Sequence, residues 1–147
     1  MDFGHLQAVY KMSDVSVDHI GIATESIEKA SEFWELLGFE TTSKHVNEDQ
    51  GVRILMLEGT ISTTKLELLE PLTSDTPVGR FISKRGVGIQ QLAVKVNDIE
   101  STIALLSNNG VRMISDIPVD GVDGNTIAFV HPSSTGGVLV ELVEHCN

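Results

Sequence analysis

The sequence is poor in several residue types on which whole classes of protein depend. It holds a single cysteine, Cys146, among 147 residues, so no disulfide can form within the chain and no Cys/His zinc motif exists. We therefore expect a free thiol and a cytoplasmic protein. No apolar run approaches the length of a membrane span, and the first residues lack the apolar core of a signal peptide. We therefore expect no membrane partner.

Basic residues are scarce as well. Lys and Arg number 10 against 21 Asp and Glu, which gives a formal net charge of −11. Such a surface repels phosphate backbones, so the charge argues against a nucleic-acid partner. Hydrophobic residues make up 41% of the chain, which favours a packed core over disorder. We predict an N-terminal extension at residues 1–15 and a single domain at residues 16–147.

The chain contains the same pattern twice: an alternating apolar strand, an amphipathic helix and a glycine. Ile27 and Ile99 begin the apolar stripes of the two helices and are separated by 99 − 27 = 72 positions. Gly38 and Gly110 are predicted to end the helices and are separated by 110 − 38 = 72 positions. The equal offsets indicate an internal duplication.

Each copy of the pattern continues into further strands separated by loops rich in Gly, Ser and Thr. These strands are predicted at residues 52–57, 65–69, 126–130 and 138–143. The arrangement predicts two βαβββ modules, at residues 16–72 and 88–145, joined by a short helical linker at 77–86. One half-sheet cannot bury its own apolar face. The predicted fold is therefore α+β, with the two modules pairing into an eight-stranded, open, barrel-like sheet.

Four polar residues occupy matched positions in the two modules. His19 and Gln91 lie in the first strands, 91 − 19 = 72 positions apart, and Glu67 and Glu141 lie in the last strands, 141 − 67 = 74 positions apart. Because side chains alternate along a strand, all four are expected on the faces that do not pack against helices. A carboxylate beside apolar neighbours is costly unless it is paired or bound to a metal. We predict that the four side chains converge on one divalent ion, of the kind Co, Mn, Ni, Fe or Zn.

Simpler roles remain open for these residues. A histidine such as His19 near a strand start can be a structural residue with satisfied hydrogen bonds. Glu67 can be exposed to solvent, and Gln91 can be an ordinary hydrogen-bonding residue of the core. Glu141, between apolar neighbours, is the hardest to explain without a partner.

At four places the chain resembles the methylmalonyl-CoA epimerase family of the vicinal oxygen chelate, or glyoxalase, superfamily. The matching stretches are residues 18–23 (DHIGIA), 50–52 (QGV), 66–71 (LELLEP) and 129–142 (FVHPSSTGGVLVEL). The last of these is the most specific, whereas the first recurs across the superfamily. The resemblance extends over nearly the whole chain after its N-terminal extension.

This resemblance implies a set of site residues. The family holds a metal through a histidine in the first strand of each module and an acid or amide in the last. These roles carry over to His19, Glu67 and Glu141. Gln91 stands where the family has its second histidine, and an amide oxygen is a weaker ligand than an imidazole. Some family members place a glutamate in the strand after Gln-Gly-Val, where this chain has Ile54.

The resemblance also implies a reaction. The family inverts the α-carbon of a branched acyl-CoA thioester through an enolate that a metal stabilises as a Lewis acid. Inversion requires one group that removes the α-proton and another that returns a proton on the other side. Glu141 is the candidate for one of these groups, and the second is unassigned. The expected partners are an acyl-CoA substrate and a second copy of the chain in a homodimer.

Two other functions are compatible with the same pattern. One is a divergent glyoxalase-like lyase or isomerase that acts on another substrate, a role that the Gln90-Gln91 change would suit. The other is a metal-free protein that binds a small molecule.

Overall fold

The computed structural model describes residues 14–61 and 63–146, so most of the predicted N-terminal extension lies outside the described residues. The strands are β1 Ser16–Ala23, β2 Glu40–Asn47, β3 Val52–Glu58, β4 Lys65–Pro71, β5 Gly88–Lys95, β6 Val119–Asp120, β7 Thr126–Val130 and β8 Leu139–Glu144. The helices are α1 Ile27–Leu37, α2 Pro77–Arg85 and α3 Ile99–Asn108. Within the described residues, no helix is long and apolar enough to cross a membrane.

The chain divides into two compact units. One is Val17–Ala93, and the other joins the two ends of the chain, of which residues 14–16 and 94–146 are described. The predicted domain and module boundaries, 16–72 and 88–145, stay a prediction.

The unit Val17–Ala93 has the strand order β2-β3-β4-β1-β5. β1 runs parallel to β4, whereas β3 is antiparallel to both of its neighbours. Helix α1 packs against one face of these strands, where Ile27 contacts a core that includes Leu55, Leu57 and Leu68. The opposite face of these strands is turned away from α1.

Local chemistry explains why α1 begins and ends where it does. The Ser26 side chain accepts a hydrogen bond from the Lys29 backbone N–H at 3.3 Å, which satisfies one of the unpaired N–H groups of the first turn. Gly38 adopts φ 112°, a left-handed conformation that favours glycine, and this ends the helix as predicted. Ile27, Ala30 and Trp34 form the apolar stripe that faces the strands.

The second unit contains β6, β7 and β8 as antiparallel neighbours, with α3 packed on one face. Its core includes Ile99, Ile103, Val130 and Leu142. The N-cap of α3 is Asp98, whose carboxylate accepts from the Ser101 N–H at 3.0 Å.

Asn97 and Glu100 have the spacing of a capping box, but Asn97 is not the N-cap of α3. The Asn97 side chain instead donates to the Asp14 carboxylate at 3.1 Å. The cap therefore lies one residue later than this spacing suggests. Asp98 follows Ser26, the N-cap of α1, by 98 − 26 = 72 positions, so the true caps obey the repeat offset.

Matched hydrogen bonds show that the duplication is structural. The Ile27 backbone N–H donates to Glu70 Oε1 at 2.9 Å, and the Ile99 N–H donates to Glu144 Oε1 at 2.9 Å. In each unit one strand, β4 or β8, thus supplies a carboxylate to the start of the helix, where the helix dipole favours negative charge.

Two of the eight predicted strands were not located in the sequence. β2 is mostly polar and largely exposed, with the burial pattern of an edge strand, and β6 has only 2 residues. Neither has the alternation of apolar residues that identifies a half-buried strand. The strands predicted at residues 52–57, 65–69, 126–130 and 138–143 begin and end within two residues of those bounds, and the linking helix is present as α2.

Candidate active site

The candidate site lies on the face of the Val17–Ala93 unit that is turned away from α1. In the β1–β4 pair, Gly21 lies opposite Glu67, so these residues share a face, and His19 shares it by alternation along β1. Leu66 and Leu68, which alternate with Glu67, pack in the core beneath α1. Glu67 is only 6% exposed, so the alternative of a solvent-facing carboxylate is wrong.

His19 is held between two carboxylates. Its Nδ1 lies 2.7 Å from Asp18 Oδ2, and its Nε2 lies 3.6 Å from Glu67 Oε2. Because an ionised carboxylate only accepts hydrogen bonds, Asp18 selects the tautomer that carries its proton on Nδ1. This tautomer places the lone pair of Nε2 on the side of Glu67. A carboxylate behind a histidine in this way is a common support for a metal-binding imidazole.

Gln91 also contacts the Glu67 carboxylate. It lies on β5, and β1 lies between β5 and β4. Its Nε2 donates to Glu67 Oε1 at 3.4 Å, a long hydrogen bond, and the residue is 7% exposed. The structure therefore brings together three of the four predicted ligands, His19, Glu67 and Gln91.

The Glu67 carboxyl titrates abnormally because of this environment. Burial raises its pKa above the ordinary value, since the charged form loses its hydration. The electrostatic influence of His19 and of His45 acts in the opposite direction, and the negative charge of Asp18 adds to the increase. A cation bound beside Glu67 would relieve the cost of burying its charge.

His45 belongs to this face as well. It lies on β2 opposite Ile54, and Ile54 lies opposite Leu69, which shares the Glu67 face of β4. Its Nε2 is buried and has no hydrogen-bond partner among residues 14–61 and 63–146. No pattern in the sequence pointed to His45, because the position of β2 could not be located in it.

Glu141 lies on β8, in the unit that does not contain the other three predicted ligands. It is 8% exposed and lies opposite Phe129 on β7. Its neighbours Val140 and Leu142 pack toward α3, so its own side chain is on the face turned away from that helix. Its convergence with His19, Glu67 and Gln91 stays a prediction.

The donor chemistry of His19, Glu67 and Gln91 suits a divalent metal. An imidazole nitrogen, a carboxylate and an amide oxygen are all ligands of borderline divalent ions. The part of the chain that the structure describes contains no group of three His, Cys, Asp or Glu side chains placed to hold a metal. The predicted ligand set differs from such a group, because its third ligand is the amide of Gln91. The fourth predicted ligand is Glu141. The three residues therefore fit a metal through their chemistry, with Asp18 as support for the imidazole.

This fold and this face define a class of protein. The glyoxalase/bleomycin resistance protein/dioxygenase superfamily matches residues 18–129, so the chain belongs to that superfamily. Within it, the chain is similar to methylmalonyl-CoA epimerases, as the sequence motifs predicted. The predicted fold class is confirmed as well, since the likeness to solved structures of the superfamily covers most of the chain.

Three relatives show the extent of the similarity. The mitochondrial methylmalonyl-CoA epimerase of Mus musculus is 33% identical over 128 residues, which cover 86% of this chain and 71% of that protein. The crystal structure of hypothetical protein BH1468 from Bacillus halodurans C-125 is 42% identical, with a TM-score of 0.87 over 92% of this chain and 97% of that one. Methylmalonyl-CoA epimerase of Streptomyces coelicolor (S115T), in complex with 2-nitronate-propionyl-CoA, is 38% identical, with a TM-score of 0.83 over 89% of this chain and 94% of that one.

Proposed function

We propose that this protein is an epimerase that inverts the α-carbon of a branched acyl-CoA thioester such as methylmalonyl-CoA. The observation that carries the proposal is the placement of His19, with Nδ1 on Asp18 and Nε2 3.6 Å from the buried Glu67. This is the support expected for a metal-binding imidazole. The similarity to named methylmalonyl-CoA epimerases supplies the reaction and the substrate class.

The residues that would hold the metal are His19, Glu67, Gln91 and Glu141. The candidate ions are Co²⁺, Mn²⁺, Ni²⁺, Fe²⁺ and Zn²⁺. A metal bound there supplies a Lewis acid that makes the α-proton of a thioester more acidic and stabilises the enolate.

The remaining chemistry falls to the side chains. Glu141 is the candidate that takes the α-proton as a carboxylate on one side of the carbon, and it can return the proton as a carboxylic acid in the reverse direction. His19 and Glu67 hold fixed positions in a buried region, which reduces competition from water. Inversion further requires a proton donor on the opposite side of the carbon.

Isotope exchange tests the proposal directly. Purified protein is incubated with methylmalonyl-CoA in heavy water, with and without added Co²⁺, and loss of the α-proton is followed by NMR. We expect exchange that depends on Co²⁺ and stops when a chelator is added. The proposal is contradicted if the protein catalyses no exchange under any of these conditions and with any of the five candidate metals.

Gln91 favours one alternative, a metal-free protein that binds an acyl-CoA without turning it over. An amide at the position of the family's second histidine weakens the affinity for metal. Calorimetry separates the two functions. Acyl-CoA binding that is unaffected by a chelator, together with no exchange, indicates the binding protein. Turnover of hemithioacetals instead of acyl-CoA would indicate a glyoxalase-like enzyme.

A further inference from the structure

His45 lies on the same face of the sheet as the candidate site. It faces the same side of the sheet as Ile54, Leu69 and Glu67, by the register of β2, β3 and β4.

The described residues around His45 provide no hydrogen bond that would account for its buried imidazole nitrogen. Ile54 and Leu69 are 6% and 3% exposed, so the side chains beside it are apolar and buried. His45 Nε2 is buried, and none of the described residues donates to it or accepts from it. A buried polar atom without a hydrogen-bond partner destabilises the fold in general. Such an atom is commonly retained because a ligand or a reaction uses it.

The proposed mechanism requires a second proton-transfer group, and the position of His45 is suited to that role. Ile54 stands where some family members have a glutamate, and His45 is its direct cross-strand neighbour. Side chains that are opposite one another in an antiparallel pair have Cβ atoms about 4.5–5.5 Å apart. An acid–base group on β2 at this position therefore projects into nearly the same space as one on β3.

We propose that His45 is the second proton-transfer residue of the epimerase, the acid–base group that inversion requires in addition to Glu141. This inference rests on the proposed function. In one direction the neutral His45 Nε2 takes the α-proton, the C–H electron pair moves into the thioester enolate, and His45 becomes imidazolium. The carboxylic acid of Glu141 then gives a proton to the opposite side of the carbon, which yields the other epimer. The reverse reaction exchanges the two roles, and no oxidant, reductant or further reactant is required.

The test compares His45→Gln with Val46→Gln in heavy water with Co²⁺. Val46 is the next residue on β2, is 51% exposed and alternates to the other face, so it controls for a glutamine in this strand. Each epimer of methylmalonyl-CoA is used separately. We expect His45→Gln to lower epimerisation at least about 10²-fold, while one epimer still exchanges its α-proton without inversion through Glu141. The Val46→Gln variant should keep both activities.

Two further measurements separate proton transfer from a structural or ligand role. The affinity for Co²⁺, measured by calorimetry, should be the same in His45→Gln and in the wild type, because His45 is not proposed as a ligand. The double variant His45→Gln/Ile54→Glu should regain epimerisation, since it restores an acid–base group on the neighbouring strand. Thermal unfolding checks that each variant is folded, and His45→Asn replaces His45→Gln if that variant is not.

The possible failures are distinguishable. If His45→Gln epimerises both isomers within a few-fold of the Val46→Gln control, His45 has no proton-transfer role. If it loses Co²⁺ affinity and all exchange together, His45 is a ligand or a structural residue, and the inference is equally overturned. If the wild type itself exchanges neither isomer, the proposed function fails first.

Discussion

Gln91 and Glu67 are hydrogen-bonded across a strand that belongs to neither of them. The Gln91 Nε2 lies 3.4 Å from Glu67 Oε1, and β1 runs between β5 and β4. This reach is possible because β1 has Gly21 at the crossing point. A Cβ added at Gly21 would lie 2.5 Å from Gln91 Cγ, closer than real Cβ contacts allow. The smallest residue on β1 therefore allows two predicted ligands to meet.

The first prediction follows from this crossing. Gly21→Ala should displace the Gln91 side chain from Glu67 and weaken Co²⁺ binding about tenfold, the lower end of what disturbed metal-site geometry commonly costs. Calorimetric titration with Co²⁺ measures the change. Gly59→Ala is the matched control, because a Cβ there would make only ordinary contact, at 3.5 Å from Phe39. An equal effect in both variants would show that glycine substitution alone is responsible.

The second prediction concerns the amide ligand. Gln91→His should bind Co²⁺ more tightly than the wild type, by at least about tenfold, because imidazole is a stronger ligand than an amide oxygen. Its exchange activity should be kept or raised. Gln90→His places an imidazole on the neighbouring residue of β5, whose side chain alternates to the other face, and should not tighten binding. If Gln91→His binds Co²⁺ with the affinity of the wild type, residue 91 is not a metal ligand.

The third prediction concerns the support of His19. Asp18→Asn removes the carboxylate that holds Nδ1 at 2.7 Å, so the preference for the tautomer with a free Nε2 lone pair is lost. We expect Co²⁺ affinity to fall about 10–100-fold while the protein remains folded. The measurement is calorimetry together with circular dichroism. A variant that keeps its full affinity would indicate that Asp18 has only a structural role.

The fourth prediction concerns Glu141. Glu141→Ala should abolish epimerisation of methylmalonyl-CoA, since it removes both a proposed ligand and the proposed base. The rate should fall by at least about 10²-fold in the heavy-water assay. Glu25→Ala, a change at an exposed residue before α1, is the control and should be fully active. Near-normal epimerisation by Glu141→Ala would contradict its role.

The fifth prediction is a pH dependence of stability. Hydrogen bonds from the backbone N–H and side chain of Ser101 lower the pKa of Asp98 below its ordinary value of 3.8. A carboxyl with a lowered pKa in the folded state stabilises the fold above its unfolded pKa, and this stabilisation is lost as the pH falls through the folded pKa. Asp98→Ala should therefore lower the free energy of unfolding at neutral pH, with a deficit that shrinks below about pH 4.

Urea denaturation between pH 2 and 7 measures this effect. Asn97→Ala, one residue earlier, serves as the control because Asn97 does not cap α3. Asp98→Asn should keep most of the capping stability and lose the pH dependence, since asparagine is also a good N-cap. A deficit in Asp98→Ala that is constant down to pH 2 would show that the charge of Asp98 contributes nothing.

Local patterns in the sequence were sufficient for much of the fold. The offset of 72 between the two halves identified the duplication, and the same offset relates the true N-caps Ser26 and Asp98. Strand alternation alone predicted that His19 and Glu67 face away from the helix side. These features are readable because side-chain direction and helix ends depend on residues only a few positions apart.

The features that depend on distant parts of the chain were decided by the tertiary structure. The burial of Glu67, the approach of Gln91 over Gly21 and the position of His45 beside Ile54 each join strands that are separated in sequence. β2 lacks an apolar alternation of its own, and it is a strand because β3 supplies its hydrogen bonds. Pairing between strands depends on the whole sheet, so it cannot be predicted from a short stretch of sequence.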